Sequence, residues 1–247
     1  MINTVVLFLR DTLPIFLLLS LLFSLHVSAK PLAVRVVVTA IISAICYLNI
    51  GVIAGAMNGT GFELLKVCCL LFSWIGFCLY ISALAPATGI WLMVVGVCVP
   101  ATLHFLIYFV SSWALHANDN GLLMGSIIGL GISCSVAILL NIILTTLMPL
   151  RVTRIMTTLF FAGQVASLAT LLEQIDFLVA PVHSWDTSRF ISDSSEYGHL
   201  LNALVGYEAT PSLSYLLIYA LALLIPFLLL WAKKQCSGSR SALEDQC

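Results

Sequence analysis

Two short stretches place ionisable side chains inside long apolar runs. The first is RDTLP, from Arg10 to Pro14, and the second is PATLH, from Pro100 to His104. Asp11 and His104 supply a carboxylate and an imidazole, which together can bind a divalent ion or form a hydrogen-bonded pair. A charge at the middle of a bilayer costs about 2.5–3.5 kcal/mol, so such residues usually face the protein interior. The two stretches therefore predict a polar site between apolar segments.

The composition of the chain indicates that these segments lie in a membrane. Of the 247 residues, 61% are hydrophobic and 9% are charged, and the mean hydropathy is +1.11. A chain this apolar has too few polar residues to cover a soluble domain. The 10 basic and 11 acidic residues give a net charge of -1, so no basic surface predicts a nucleic-acid partner.

The residue types that usually carry catalysis are not arranged for it. No Ser-His-Asp or Cys-His arrangement stands out among the apolar runs, so an enzyme is not predicted. Most of the eight cysteines fall within apolar runs and no CxxC spacing occurs, which favours small membrane-helix residues over a redox role. No ATP-binding P-loop motif is present, which argues against a primary pump.

Seven apolar runs are long enough to cross a bilayer, which takes about 20 residues. They cover residues 4–26, 35–57, 63–84, 89–113, 121–147, 155–180 and 213–232. The predicted fold is an all-α polytopic membrane protein with seven transmembrane helices. We expect residues 1–232 to form a single transmembrane domain with an outer loop at 181–212, and residues 233–247 to form a disordered cytoplasmic tail.

Basic residues favour the cytoplasmic side of membrane loops. If the seven runs alternate in direction, one side receives Lys30, Arg35, Arg151, Arg154, Lys233, Lys234 and Arg240. This predicts an external N-terminus and a cytoplasmic C-terminus in a plasma membrane or a bacterial inner membrane. The first run also has features of a secretory signal peptide cleaved after Ala29, which would leave six spans. Its leading segment is apolar and contains Asp11, which argues against cleavage.

The two polar stretches have similar patterns. Laying PATLH over RDTLP aligns Thr12 with Thr102 and Leu13 with Leu103, and each stretch has one proline. Because the first and fourth spans run in opposite directions, the likeness predicts a three-plus-three inverted repeat followed by a C-terminal helix. In such transporters, proline-interrupted helices at matching places in the two halves mark a midplane site. The alternative is a chance proline in each of two membrane helices, where proline is tolerated.

The third span begins with two further ionisable residues. Glu63 and Lys66 lie one helical turn apart in GFELLK. Either they contribute to the same intramembrane site, or Glu63, like Arg10, extends from the end of its span towards the outer interface.

Longer stretches of the chain resemble the high-affinity iron permease family, the oxidase-dependent iron transporters. FELLKVCCLLFSWIGF is similar to the third span of that family. The stretches GSIIGLGISCSVAILLN, RVTRIMTTLFFAGQVASLATLLEQ and SWDTSRFISDSSEYGHLLNALVGYEATPSLSYLLIY resemble its last three spans and outer loop. The most specific segment is LLNALVGYEATPS, which has the GY and PS residues of the family at Gly206, Tyr207, Pro211 and Ser212.

The family has an Arg-Glu-x-x-Glu motif in its first and fourth spans, and its carboxylates are thought to carry iron. Here the first motif keeps an acid at Asp11 but has Pro14 in place of the second glutamate. The second has Pro100 and Ala101 at its first two positions and His104 at its last. The resemblance therefore implies an iron permease whose site has been altered.

The resemblance and the residue types together predict the following site. Asp11, His104 and Glu63 are the candidate metal ligands, and Arg10 and Lys66 supply balancing charge. The outer loop would gather metal with His183, Asp186, Glu196, His199 and Glu208.

The predicted activity is import of Fe2+ or Fe3+, with iron as transported cargo and no permanently bound cofactor. The expected partners are membrane lipid, the metal ion and a periplasmic or extracellular metal-donor protein. One alternative is a non-transporting membrane subunit of an iron-uptake system, and another is a transporter of copper or manganese.

The long outer loop should be ordered. It carries Trp185, Phe190, Tyr197 and Tyr207, which offer enough apolar surface to pack. We expect WDTSRF and GYEATPS to form short ordered segments that fold back over the external mouth.

Overall fold

Long helices account for most of the chain. A computed structural model describes residues 2–115, 120–178, 184–193 and 195–244. Within these ranges the helices are α1 (Ile2–Ser24), α2 (Ala29–Leu48), α3 (Ile50–Gly55), α4 (Gly61–Ser82), α5 (Pro86–Leu115), α6 (Asn120–Ile142), α7 (Leu150–Gln174), α8 (Glu196–Val205) and α9 (Leu213–Glu244). A 3-10 turn (Ala56–Gly59) precedes α4, and a π-helical turn (Ile143–Leu147) ends α6.

Six of these helices are long and apolar enough to cross a membrane. In the described residues the candidate spans are Ala29–Leu48, Gly61–Ser82, Pro86–Trp113, Gly121–Leu147, Leu150–Gln174 and Leu213–Trp231. The all-α prediction is confirmed, and these helices indicate an integral membrane protein. Helix α1 is not among the six, so the seventh span and the inverted repeat stay predictions.

Helix α1 lies at the centre of the helical bundle. Its fully buried side chains are Phe8, Leu13, Leu17, Leu18, Leu21 and Leu22. The helix packs against α5, α6, α7 and α8. Burial of a leucine side chain is worth about 1.5–3 kcal/mol, so removing this helix would expose a large part of the core. This position argues further against cleavage after Ala29.

The second helix begins earlier than the hydropathy pattern predicts. The apolar run starts at residue 35 and was expected to span 35–57, but α2 begins at Ala29 and ends at Leu48. Arg35 therefore lies inside the helix rather than in a loop. Its guanidinium carbon is 5.8 Å from the centre of the Trp91 ring on α5. The Trp91 ring stabilises the Arg35 charge inside the bundle. The helix can therefore include Arg35, and this basic residue does not mark its end.

The C-terminal helix also extends further than predicted. The apolar run ends at residue 232, yet α9 continues through the polar tail to Glu244. The expected disorder of the tail is therefore wrong as far as Glu244. Lysine, glutamine and alanine, as at Lys233, Gln235 and Ala242, are good helix formers, which favours a helix beyond the apolar run.

Helices α4 and α5 approach each other through glycine. A Cβ atom added at Gly96 would lie 2.3 Å from the Cys69 carbonyl oxygen, and one added at Gly76 would lie 2.7 Å from the Gly89 carbonyl oxygen. Ser73 lies between these contacts and is fully buried. Small residues let membrane helices pack backbone to backbone, and this contact positions Lys66 of α4 beside α5.

Several chain reversals meet at one end of the bundle. Leu25 follows α1, Ala83 follows α4 and Leu150 begins α7, and all three line the same cavity. Successive long helices therefore alternate in direction, which is the arrangement that a chain crossing a membrane repeatedly requires.

Candidate functional site

The two polar stretches meet where α1 passes α5. The Nδ1 atom of His104 lies 2.6 Å from the Oδ2 atom of Asp11. The Asp11 side chain is 9% exposed, whereas that of His104 is 48% exposed. The predicted meeting of the RDTLP and PATLH motifs is confirmed, and His104 is the accessible member of the pair.

Both helices continue through their prolines. Pro14 lies inside α1 and Pro100 lies inside α5. Proline has no N–H, so each ring removes one helical hydrogen bond without ending the helix. Leu13 and Leu103, which the motif alignment pairs, are both fully buried. The helices were expected to be interrupted here, and instead each loses one local hydrogen bond.

The Asp11–His104 pair borders a polar cavity of about 400 Å³. Six elements contribute to it: α1, α4, α5, α7, α8 with its flanking segments, and α9 through Tyr215. Its polar lining is Arg10, Asp11, Lys66, His104, Gln164, Ser167, Thr170, Gln174, Asp193, His199, Asn202 and Glu208. Such a cavity within a bundle of apolar helices can hold a hydrated solute.

One side of the cavity is a polar stripe on α7. Gln164, Ser167 and Gln174 recur at intervals that keep them on one face of a helix. The Ser167 and Thr170 hydroxyls donate to carbonyl oxygens of their own helix, at 2.7 and 2.8 Å. Our sequence analysis missed this stripe. Its signal was present, because glutamine and threonine recur at helical spacing within an otherwise apolar run.

Opposite charges are interspersed around the cavity. The Lys66 ammonium group interacts electrostatically with Arg10, Asp11 and Glu63. In α8, burial lowers the pKa of His199, the Arg10 charge lowers it further, and Asp193 opposes both effects. His199 is therefore a neutral imidazole near neutral pH, able to accept a hydrogen bond or bind a metal.

The third predicted ligand does not join the pair. Glu63 is not among the residues lining the cavity, and its Oε2 atom is buried without a hydrogen-bond partner in the described structure. Among the described residues, no three His, Cys, Asp or Glu side chains are grouped closely enough to hold a metal ion. The predicted ligand set is thus represented by two members in contact, Asp11 and His104.

The outer loop is ordered between residues 184 and 193. The Ser184 amide donates to the Pro211 carbonyl at 3.0 Å, and the Thr187 amide donates to the Ala209 carbonyl at 2.9 Å. The Tyr207 hydroxyl donates to the Ile191 carbonyl at 3.0 Å. WDTSRF and GYEATPS therefore pair with each other, and the prediction that they form ordered segments is confirmed.

The predicted metal-gathering residues are spread over different surroundings. His199 and Glu208 line the cavity. Asp186 is exposed, and hydrogen bonds from the hydroxyl and amide of Ser188 lower its pKa. His183 lies outside the described residues, as does the side chain of Glu196. Asp193, which was not among the five predicted residues, lines the cavity beside them.

Helix α8 is fixed against α7 and α9 at one end of the cavity. Gly206 ends it with a φ of 69°, and an added Cβ at Gly163 would lie 2.6 Å from the Gly206 Cα atom. The Tyr215 hydroxyl donates to the Gly206 carbonyl at 2.7 Å, and the Tyr219 hydroxyl donates to the Val205 carbonyl at 2.9 Å. A left-handed conformation favours glycine, which explains this residue in the GYEATPS segment.

The Glu173 side chain links α7 to α9. The Ser212 hydroxyl donates to Glu173 Oε1 at 2.8 Å, and the Ser214 hydroxyl donates to the same oxygen. These contacts join the end of α7 to the start of α9. The PS residues of the segment therefore have a structural role here, since they hold α9 against the helix that carries the polar stripe.

Asp193→Ala should loosen the outer segment, which is the described part of the outer loop at residues 184–193. Asp193 Oδ1 accepts a hydrogen bond of 2.8 Å from the Ala209 amide. An ordinary hydrogen bond contributes about 0.5–1.5 kcal/mol net, so its loss should raise the open population about 2–12-fold. Trypsin cleavage after the exposed Arg189 measures that population when opening is fast relative to cleavage. Asp186→Ala is the control, because its carboxylate bonds Ser188 within the same turn. Equal cleavage of the two variants would show that Asp193 does not hold the segment.

Comparison with known proteins identifies no relative. No protein-family model matches the chain, and no curated protein or solved structure is significantly similar to it. The functional argument therefore rests on the cavity, the Asp11–His104 pair and the helices that position them.

Proposed function

We propose that this protein is a membrane permease that imports iron, with Asp11 and His104 binding the metal. The observation that carries the proposal is their 2.6 Å contact beside a polar cavity. A metal with nitrogen and oxygen ligands at about 2.1 Å and a right angle between them holds those atoms about 3.0 Å apart. The pair therefore needs to open by only a few tenths of an ångström to admit an ion.

In this mechanism the metal replaces the proton between the two side chains. Imidazole must be deprotonated at the binding nitrogen, and the carboxylate must be ionised, so loading releases a proton. Two protein ligands leave the other coordination positions to water. Weak, partly hydrated binding suits a permease, because cargo must leave the site as well as reach it. The imidazole favours Fe2+ over Fe3+ at this site.

Iron would reach the pair from the end of the bundle that α8 covers. Asp193 and Glu208 lie on this side of the cavity and carry acidic groups that attract a cation. We place this end outside the membrane, with the N-terminus external and the C-terminus cytoplasmic, because the basic residues gather at the opposite end. A reporter fused after Cys247 that is found outside would overturn this orientation. A periplasmic or extracellular donor protein would deliver iron to the outer segment.

The helix contacts support a three-plus-three arrangement with α1 as a seventh span. In such a repeat α1, α2 and α4 correspond to α5, α6 and α7, in that order. The contact of α1 with α6 then corresponds to the contact of α5 with α2, and both occur. The α1–α5 and α4–α7 contacts each join two corresponding helices, as a symmetric arrangement requires. The α4–α5 contact is far larger than its counterpart between α7 and α1, so any repeat is approximate.

A non-transporting membrane subunit is the second candidate. The observation that favours it is the charge beside the pair, since Arg10 and Lys66 both line the cavity and repel a cation. A third ligand is also absent from the described residues around the pair. In this case the Asp11–His104 contact is a structural hydrogen bond, and the chain anchors a partner that moves the metal.

Uptake by the purified protein distinguishes these functions. The protein is reconstituted into lipid vesicles, and radiolabelled iron is added outside as Fe2+ with ascorbate. A permease should give saturable uptake that empty vesicles lack. Unlabelled Mn2+ or Cu+ at the same concentration as the labelled iron tests the other cations, and near-complete suppression of iron uptake by either one would shift the cargo assignment. Vesicles that contain folded protein but accumulate iron no faster than empty ones would favour the subunit.

A further inference from the structure

A second cavity lies at the other end of the bundle from the Asp11–His104 pair. It has a volume of about 650 Å³, within the range of about 300–1,000 Å³ that is usual for small-molecule sites. The end of α4, the start of α7 and the middle of α9 form it. Most of its lining is apolar, including Phe77, Ile81, Leu223 and Phe227. Nothing in the proposed transport pathway uses this cavity.

Two basic side chains line this apolar cavity. Arg154 of α7 and Lys233 of α9 both line it, and neither forms an ion pair within the described part of the chain. Tyr80 of α4 lies close enough to Arg154 for its charge to act on the phenol. The Tyr80 hydroxyl has no hydrogen bond to any other described residue and is free to donate one. Together these groups supply two positive charges and a donor.

The cavity opens on the membrane-facing side of the bundle. Ile155 and Phe227 belong to its lining and are 56% and 69% exposed. Leu230 is 41% exposed and follows Phe227 by about one turn towards Lys233. The walls thus change from apolar to basic along α9, in the direction of the helix end. A ligand that fits has acyl chains at one end and a negative charge at the other.

We infer that this cavity is a binding site for an anionic glycerophospholipid. The phosphate lies between Arg154 and Lys233 and accepts a hydrogen bond from Tyr80, while an acyl chain lies along Phe227 and Leu223. Basic cavities between membrane helices are suited to anionic head groups, and the basic end of this bundle is the one expected to face the anionic cytoplasmic leaflet. Free phosphate fits poorly because it leaves the apolar walls uncovered.

The inference is tested by the thermal stability of the purified protein in detergent with added lipid. Phosphatidylglycerol should raise the melting temperature more than phosphatidylcholine of the same chains, because only the first carries net charge. In Arg154→Gln/Lys233→Gln this difference should disappear. Each cation near an anionic membrane surface changes affinity about fivefold, so the pair should change the lipid Kd about 25-fold.

Two matched variants separate this site from general surface charge. Arg151→Gln removes an exposed cation from the same helix one turn earlier, outside the cavity lining, and should keep the phosphatidylglycerol effect. Arg154→Lys/Lys233→Arg keeps both charges and should also keep it. If Arg151→Gln loses as much of the phosphatidylglycerol stabilisation as the double glutamine variant, the lipid responds to general surface charge and the proposed site is wrong.

Water-soluble and protein ligands give different results. Glycerol phosphate or inorganic phosphate that matches the effect of the lipid would show that the acyl chains are not bound, which overturns the lipid assignment. A melting temperature that depends on protein concentration but not on lipid would indicate that a second copy covers this face instead. If the double glutamine variant does not fold, Lys233→Gln alone should still weaken the phosphatidylglycerol Kd about fivefold, since Lys233 is exposed and lies just beyond the apolar span that ends at Trp231.

Discussion

Asp11→Asn and His104→Gln should each reduce iron uptake at least about 100-fold while the protein still reaches the membrane in parental amount. Both side chains keep hydrogen-bonding groups of similar size, so the contact between α1 and α5 is preserved. Neither replacement can provide the same anionic or imidazole ligand. Residues outside the ligand shell already change metal affinity about 10–100-fold when mutated, and direct ligands should matter at least as much. Initial uptake rates in vesicles measure the effect.

The control for these variants is another carboxylate that touches no part of the cavity. Asp176 is exposed in the turn after α7 and has a φ of 55°. Asparagine tolerates this left-handed conformation, so Asp176→Asn removes one charge with little strain. It should transport like the parent. If Asp11→Asn and His104→Gln also transport like the parent, the ligand assignment is wrong.

The exchanged variant Asp11→His/His104→Asp separates ligand chemistry from position. It restores one carboxylate and one imidazole at the same contact, so uptake should recover above both single variants if metal binding is the role of the pair. Because metal and proton compete for the same atoms, parental uptake should also fall as external pH is lowered. Glu63→Gln should have an intermediate effect, since Glu63 acts on Lys66 but does not line the cavity.

The helices and the central pair could be predicted because each leaves a local signal. A run of about 20 apolar residues identifies a spanning helix wherever it packs. An acid and a histidine in such runs are costly unless they have partners, which is why Asp11 and His104 were expected to meet. The order of these two loop segments was predictable for a similar reason, since aromatic residues in a loop require a surface to cover.

Other features depend on contacts that a local pattern does not contain. Arg35 belongs to α2 because Trp91, more than 50 positions later, lies beside it. In GSIIGLGI an added Cβ at Gly129 would lie 2.9 Å from the Cβ atom of Phe8 on α1, whereas one at Gly131 would have no described atom within 4 Å. Gly96 meets α4 closely, and Gly163 meets the glycine that ends α8. Which glycines face a neighbour depends on how the helices rotate, and that is decided by the whole bundle.

Gly96→Val should strongly destabilise the protein, whereas Gly131→Val should be tolerated. The atom nearest to a new Cβ at Gly96 is the Cys69 carbonyl oxygen at 2.3 Å, and the backbone of α4 cannot move aside as a flexible side chain can. Overpacking costs about 1–3 kcal/mol and sometimes more. A loss of 3 kcal/mol in a chain of this length corresponds to roughly 6–12 °C in melting temperature. Thermal unfolding in detergent measures it.

The glycine pair controls for the intrinsic effect of valine in a helix. Gly96 and Gly131 both lie inside long helices, so valine changes helix propensity similarly at both positions, and only the steric contact differs. Separation of α4 from α5 should also distort the cavity that both helices line, and Gly96→Val should therefore lose uptake even at temperatures where it stays folded. If Gly96→Val melts at the same temperature as Gly131→Val, the close approach of α4 and α5 does not stabilise the bundle. The cavity would then depend on α1 and α7 for its shape.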